Sequence, residues 1–489
     1  MHRDVAIVGA GAVGLVVARA LAATGLSVAV IEAGTSHRAR HADLRPHVSY
    51  DQQRHEGALD GWTTGLGGTT QLWGGQLWAW EDYEFEQRRY VEASPWPVTR
   101  DDLDRHYETF LRSSGAASRI RETLLTRHDA VAAGPAYTKY SAWLPWRKRN
   151  FYPPFQREFA RSAGVEILAE HRVIQIKVHG SDKATVVVEQ SSGDAARIDC
   201  RAVVLAAGTL GNIGLLQDSQ ASDSPWLGRG FMDHVSARYA TFAVKNPVRF
   251  VRTAGAVYGG SSLLTPRFVM EPAYAQKHEL LNAFAHWEVE LPPSSPYAIL
   301  REGLRSAQRG TPRIRPSDAL RLLRQGPREL AFGAYCAAAL RRRPLPRDAR
   351  LQLRIDVEQP PRFDSAVRWS RNGGERELHV GWTIGREERA AFDTFGSDFV
   401  GSLDLDELGL EPVAVAAEPA FRDTFHMMGG TRISANVADG VVDAGLAVHG
   451  APNVLVVGAS VFPTGGVANP TMTAAALALR AAAGMKDRL

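Results

Sequence analysis

One stretch, DVAIVGAGAVGLVVARALAATGLSVAVIEAG from Asp4 to Gly34, narrows the folds open to this chain more than any other. Val5 to Val8 is an apolar run suited to a buried parallel strand, and Val28 to Ile31 is a second. Between them Gly9, Gly11 and Gly14 form G-x-G-x-x-G at the start of an apolar helix. The first glycine permits a tight turn, the second lets backbone approach a pyrophosphate, and the third lets helix and strand pack closely. The helix N-terminus then offers free N–H groups and a positive dipole end to the phosphates. Glu32 closes the second strand, where a carboxylate accepts hydrogen bonds from a ribose diol and repels a 2′-phosphate. The spacing predicts a Rossmann-type unit for NAD or FAD, and the motif alone does not choose between them.

Other stretches extend the unit. TTGLGGTTQLWGGQLW, Thr63 to Trp78, sets Gly67, Gly68, Gly74 and Gly75 among hydroxyls (Thr69 and Thr70 included), so that backbone can come close to a ring or a phosphate. Leu66, Leu72, Trp73, Leu77 and Trp78 make it too apolar for a solvated linker. RAVVLAAGTLGNIGLL repeats the strand–glycine–helix logic, with an apolar run Val203 to Ala206, then Ala207 and Gly208. Val165 to Leu168 and Val173 to Val178 read as further strands. Near the C-terminus, Val454 to Val457 is a strand that ends at Gly458 and Ala459. A strand that returns from the far end of the chain makes the nucleotide domain discontinuous. Residues 1–237 are therefore expected to form its first part, 238–420 a substrate domain, and 421–489 the returning part.

Within 238–420, LQLRIDVEQ alternates Leu351, Leu353, Ile355 and Val357, and ELHVGWTI is a further strand; both suit a sheet with one covered face. Tyr297 to Leu345 is arginine-rich with apolar positions at helical spacing (Leu300, Leu304; Leu320, Leu322, Leu323; Leu330), and is expected to be a helical cover near a substrate entrance with a solvated basic face.

The bulk properties exclude several classes. A chain of 489 residues, 45% hydrophobic and 22% charged, can bury a large core in more than one domain. The net charge of +4 is mild, and the arginine clusters lack the aromatic interleaving of a nucleic-acid surface. Two cysteines, Cys200 and Cys336, exclude a disulfide framework and are too few for a thiolate zinc site, so no metal is expected. With no secretory signal and no apolar run long enough to span a bilayer, a cytoplasmic protein is the default.

GGTTQLWGG, SPWPVTRDDLDRHYETFL, AAGTLGN, DVEQPPRFDSAVRWS, HMMGGTRIS, VVDAGLAVHG and SVFPTGGVANPTMT, in this order, resemble the glucose–methanol–choline (GMC) oxidoreductases over essentially the whole chain. The resemblance implies FAD and the oxidation of alcohols. It also implies an α/β plus α+β fold: a discontinuous Rossmann-type FAD-binding domain and a substrate domain built on an antiparallel sheet with covering helices. The family places a histidine in an H-x-x-G-T-like stretch beside a histidine or asparagine before the final helix, which here are His426 and Asn469. A neutral imidazole can take the hydroxyl proton as hydride leaves for the flavin, and an amide can hold the alcohol oxygen without competing for that proton. Asn469 has a plainer reading as the N-cap of a helix with Pro470 at its first position. Pro470, Thr471 and Met472 open that helix, whose positive end would face the flavin.

Two departures from the family pattern matter. The position that some members use to tether FAD is Leu72, which implies non-covalent FAD, and Gly458 stands where many members carry an acid. FPTGGVANPT resembles the bacterial pyranose-oxidase-like branch, implying a sugar, a glycoside or a sugar-derived natural product such as an aminoglycoside. The alternatives are a bulky, sterol-like alcohol or a flavin-binding protein without turnover. The electron acceptor stays open among oxygen, a quinone and a protein.

Overall fold

The computed structural model describes residues 1–35, 46–92, 95–126, 134–162, 164–308, 316–372 and 375–489. An eight-stranded sheet has a parallel core in the order Ala451–Val456, Ala195–Leu205, His2–Val8, Val28–Ile31 and Val165–Leu168. Its strands are apolar on both faces because both faces are covered: Val5, Ile7, Val28, Val30, Val203, Val204, Val454 and Val456 are all fully buried. Helices Ala12–Ala22 and Thr471–Arg488 pack against each other, so the two ends of the chain meet over this sheet. His171–Val178 and Ala184–Gln190 form a hairpin that joins it antiparallel, longer by two residues than the expected Val173 start.

The second sheet has nine strands, paired antiparallel along the path Leu410–Val415, Val235–Val244, Arg350–Val357, Ala283–Glu290, Ser262–Met270, Ala136–Trp143 and Gln76–Leu77. Sheet membership cuts across the expected boundaries, since Gln76–Leu77 and Ala136–Trp143 come from the first 237 residues. The expectation of one covered face also fails for Arg350–Val357, which is buried from Leu351 to Val357. Leu351, Leu353, Ile355 and Val357 pack with Phe392, Phe395 and Phe399 of the helix Arg386–Gly401. Arg354 and Asp356, on the opposite face, line a deep cavity that removes them from solvent although they are polar. Glu375–Gly381 is a strand, but it lies in a separate three-stranded sheet between Ala366–Asn372 and His47–Tyr50.

The arginine-rich segment forms helices Pro296–Gln308 and Pro316–Ala338, and Tyr297, Leu300 and Leu345 are among the residues that line the cavity. Residues 309–315 and the side chain of Leu304 lie outside the described residues. The periodic leucines are not the core-facing ones: Leu320, Leu323 and Leu330 are exposed, while Phe332 and Cys336 pack into the second core. Among the described residues no helix is long and apolar enough to cross a membrane.

Candidate active site

A cavity of about 2170 Å³ runs between the two large sheets. Ligand pockets usually measure about 300–1,000 Å³, so there is room for a cofactor and a substrate together. Its nucleotide end is lined by Gly9, Gly11, Glu32, Gly68, Thr69, Thr70, Gly74, Val173, Ala207, Gly208, Gly458 and Ala459. Asn469, Pro470 and Thr471 line it as well, whereas Gly14, Gly67 and Met472 do not.

The glycines divide by what a side chain would meet. A Cβ on Gly14 would sit 2.1 Å from the Gly9 carbonyl oxygen, and one on Gly9 would sit 2.5 Å from the Ala206 carbonyl oxygen; these two hold helix against strand. A Cβ on Gly11 or Gly208 would meet nothing within 4 Å, so there bare backbone faces open cavity. Such a cradle suits a pyrophosphate at a helix start. Glu32 shapes it from beneath, accepting the N–H groups of Ala10 (3.0 Å), Gly34 (3.0 Å) and Gly65 (2.8 Å). Burial raises its pKa above the ordinary value against the pull of these donors. The Gly67 N–H donates to Ala10 O at 2.9 Å, which docks the glycine–threonine loop on the first turn. In that loop Leu66, Leu77 and Trp78 are buried, whereas Leu72 is half-exposed at the cavity wall. The buried hydroxyl of Thr64, also on that wall, has no hydrogen-bond partner among the described residues, consistent with a ligand partner. The residues present therefore fit a dinucleotide, FAD included.

Deeper in, the structure brings His426 and Asn469 together, with Asn469 Nδ2 2.8 Å from His426 Nε2. The capping alternative for Asn469 fails. The final helix starts at Thr471, Pro470 occupies the cap position, and no side chain caps it. The amide points at the imidazole instead, and the helix start faces the cavity.

The partners of His426 fix its tautomer. His234 Nε2 lies 3.3 Å from the Gly465 carbonyl, which can only accept, so that nitrogen carries the proton. His234 Nδ1 is then an acceptor, and His426 Nδ1, 3.0 Å away, must donate to it. Thr424 Oγ1, 2.8 Å from the same Nδ1, donates its own proton to Asp233 at 3.0 Å and is a second acceptor. His426 Nε2 thus keeps a lone pair, directed at Asn469. Burial chiefly, with His234 beside it contributing, depresses the His426 pKa to about 4.

Sequence reading missed Asp233, His234 and Thr424. Asp233 is fully buried and takes the N–H of Thr424 (3.2 Å) and of His426 (2.9 Å). It thereby clasps both sides of Phe425, whose φ of +64° is unfavourable for a bulky residue. Burial would raise its pKa, but the hydrogen bond and charge of His55, with the electrostatic influence of His426 and His234, hold it below the ordinary value. His55, Asp233 and Asp423 place ligand-type atoms within 4.8 Å of one another, a constellation that could hold a metal ion and that sequence reading did not anticipate. Asp423 accepts from Glu56 and Gly57 N–H at 2.8 Å each, and His55 Nδ1 accepts from Ala58 N–H at 3.0 Å, while His55 Nε2 lies 3.3 Å from Asp233. The signal available in sequence was the polar pair Asp233-His234 inside the apolar run Phe231 to Val235. Asn212 was missed too; it accepts from Ala207 N–H (2.9 Å) and donates to Val457 O (2.9 Å), tying the second glycine turn to the C-terminal strand.

A dinucleotide cradle opening on a wall that carries an imidazole–carboxamide pair defines a cofactor-dependent oxidoreductase. The family description "FAD dependent oxidoreductase" matches residues 4–343, and "GMC oxidoreductase" matches residues 361–478. The chain belongs to the FAD-dependent oxidoreductases, and its C-terminal part is that of a GMC oxidoreductase. It is similar in fold to pyridoxine 4-oxidase from Mesorbium loti, with a TM-score of 0.59, 17% identity and 99% of each chain covered. It is also similar to a variant of the formate oxidase of Aspergillus oryzae RIB40 studied for FAD modification, with a TM-score of 0.60, 16% identity, and 100% of this chain and 98% of that one covered. A curated relative, the 6'''-hydroxyparomomycin C oxidase of Streptomyces lividus, is 33% identical over 131 residues, 23% of each chain. The match spans less than a quarter of that relative.

Proposed function

We propose that this protein oxidises a hydroxyl group of a small polyhydroxylated molecule, such as a sugar, a glycoside or a sugar-derived metabolite, to a carbonyl. The observation that carries the proposal is the 2.8 Å contact between Asn469 and the lone pair of His426 at the cavity wall. FAD held non-covalently in the glycine cradle supplies the hydride acceptor. A substrate oxygen entering between the two side chains donates its proton to His426 Nε2 and accepts a hydrogen bond from Asn469 Nδ2. Support for a polar substrate comes from the large sheet, which turns Ser236, Thr265, Arg267, His286, Glu288, Arg354 and Asp356 toward the cavity. A sterol-like alcohol would set apolar surface against this polar wall. The half-exposed Leu72 offers no nucleophile for a flavin tether.

The test is anaerobic. The yellow protein mixed with polyols is expected to bleach with at least one of them and not with sterols; bleaching with sterols alone would sink the substrate class. Precipitating the protein in acid should release all the FAD.

The lowered pKa of His426 sets the pH dependence. The base is neutral above about 4, so the rate of flavin reduction should hold down to about pH 5 and fall as acid protonates Nε2. Replacing His234 with glutamine removes the second-largest cause of that depression while burial, the largest, remains, so the acid limb should move up but stay below the ordinary histidine value. A limb that stays in place would show that His234 does not act on the base.

A further inference from the structure

The wall of the cavity contributed by the large sheet contains a buried cation with neutral partners. Arg267 is 6% exposed and lines the cavity beside strand Ala283–Glu290, whose His286 stands opposite Arg354, itself 8% exposed. Arg267 Nε donates to Ser141 Oγ at 3.2 Å. With the Gln76 amide turned so that its oxygen faces the guanidinium, Gln76 accepts from Nη2 at 2.6 Å and from Nε at 3.2 Å. Among the described residues no carboxylate lies within 4.0 Å of Arg267. Arg354 donates through Nε and Nη2 to Ser236 Oγ, and its third nitrogen is 3.6 Å from the half-exposed Glu288. Asp356 acts on Arg267 only through space and lies 3.6 Å from His286.

Burying a guanidinium with no carboxylate in contact is costly, and a planar fork that faces a cavity matches the geometry of a carboxylate or phosphate. We propose that Arg267, with Arg354 beside it, is a subsite for an anionic group carried by the alcohol substrate, so that the preferred substrate is a polyhydroxy acid or a phosphorylated polyol. The proposal rests on the alcohol-oxidation reading above and narrows it away from polycationic aminoglycosides. It also links binding to chemistry: the positive charge of Arg267 is one of the influences that lower the proton affinity of His426. An anion on Arg267 would offset that influence and make the base stronger when the substrate is in place.

Four probes of one carbon length separate the possibilities: glucitol, gluconate, glucitol 6-phosphate and glucamine. Their dissociation constants for the holoenzyme are read from changes in the visible flavin spectrum, independently of turnover. Gluconate or the phosphate is expected to bind about tenfold tighter than glucitol or better, with glucamine weakest, and the preference to shrink with added salt. Whichever of the two anions binds tighter identifies the group. Arg267→Gln should abolish the preference while the FAD content stays that of the parent, and Arg267→Lys, which keeps the charge, should retain part of it. Equal binding of all four probes, tightest binding of glucamine, or an anion preference that survives in Arg267→Gln would overturn the subsite. Bleaching by neutral alcohols without anion preference would remove the subsite and keep the alcohol reading. Anion preference without bleaching by any alcohol would do the reverse.

Discussion

His426→Ala is expected to slow anaerobic flavin reduction by about 10²–10⁴-fold while the protein stays yellow. The size follows from the role: without an acceptor at Nε2 the hydroxyl proton must pass to water as hydride leaves. FAD should stay because its cradle is built elsewhere, from Gly9, Gly11, Glu32 and the loop around Gly68. The backbone of residue 426 remains clasped by Asp233 through its N–H, so the turn survives the truncation. Asn469→Ala removes one hydrogen-bond donor to the alcohol oxygen and should cost about 10²-fold, with the acid limb of the pH profile kept because the base is intact. The two side chains act on one oxygen, so the double variant should lose less than the product of the single losses. Parent rates in both single variants, with FAD bound, would leave the pair a packing contact.

How much of this was open to inspection in the sequence depended on how local the cause was. Gly9, Gly11 and Gly14 were legible because their constraint lies within one turn, and Val28 to Ile31 begins and ends where its apolar run does. His426 and Asn469 could be singled out only through family resemblance, since nothing local distinguishes His426 from the other histidines. The groups that prepare them were not legible. Asp233, His234 and Gly465 meet His426 across 192 residues or more of chain or through a partner that does, and a carboxylate's partners cannot be read from its neighbours in sequence. Asn469 looked like a cap because Asn-Pro before an alanine-rich helix is cap-like locally; the tertiary bond to His426 overrode that preference. The alternation Leu351, Leu353, Ile355, Val357 gave the right period and the wrong solvent. Periodicity reports which residues share a face, not whether the polar face meets water or a cavity.

Glu358→Ala should destabilise the protein by about 3–5 kcal/mol, read from denaturant unfolding of the holoenzyme. Glu358 is fully buried and holds Arg88 through two hydrogen bonds of 2.6 Å. The same carboxylate accepts the N–H of Gly466 at 3.1 Å and of Asn282 at 3.3 Å, so it joins the large sheet to the loop that delivers Asn469. Truncation leaves a buried guanidinium with no counter-charge, and that penalty, more than the lost attraction, sets the magnitude. The loop has other supports. Glu84 accepts Val467 N–H at 2.8 Å, Trp80 donates to Ala468 O at 3.2 Å, and Trp96 donates to Thr464 Oγ1 at 2.8 Å, so the loop should loosen rather than unfold. Glu84 is held chiefly by burial in its neutral form, its pKa raised to about 8. Arg88→Met combined with Glu358→Gln separates the two contributions. Glutamine still accepts from Gly466, and no uncompensated cation remains, so the double variant should recover most of the stability that Glu358→Ala loses. A double variant as unstable as the single one would mean that the backbone contacts, and not the buried charge, carry the cost. In either case flavin reduction should slow in Glu358→Ala at temperatures where the protein is folded, because Asn469 is aimed by the loop that Glu358 holds.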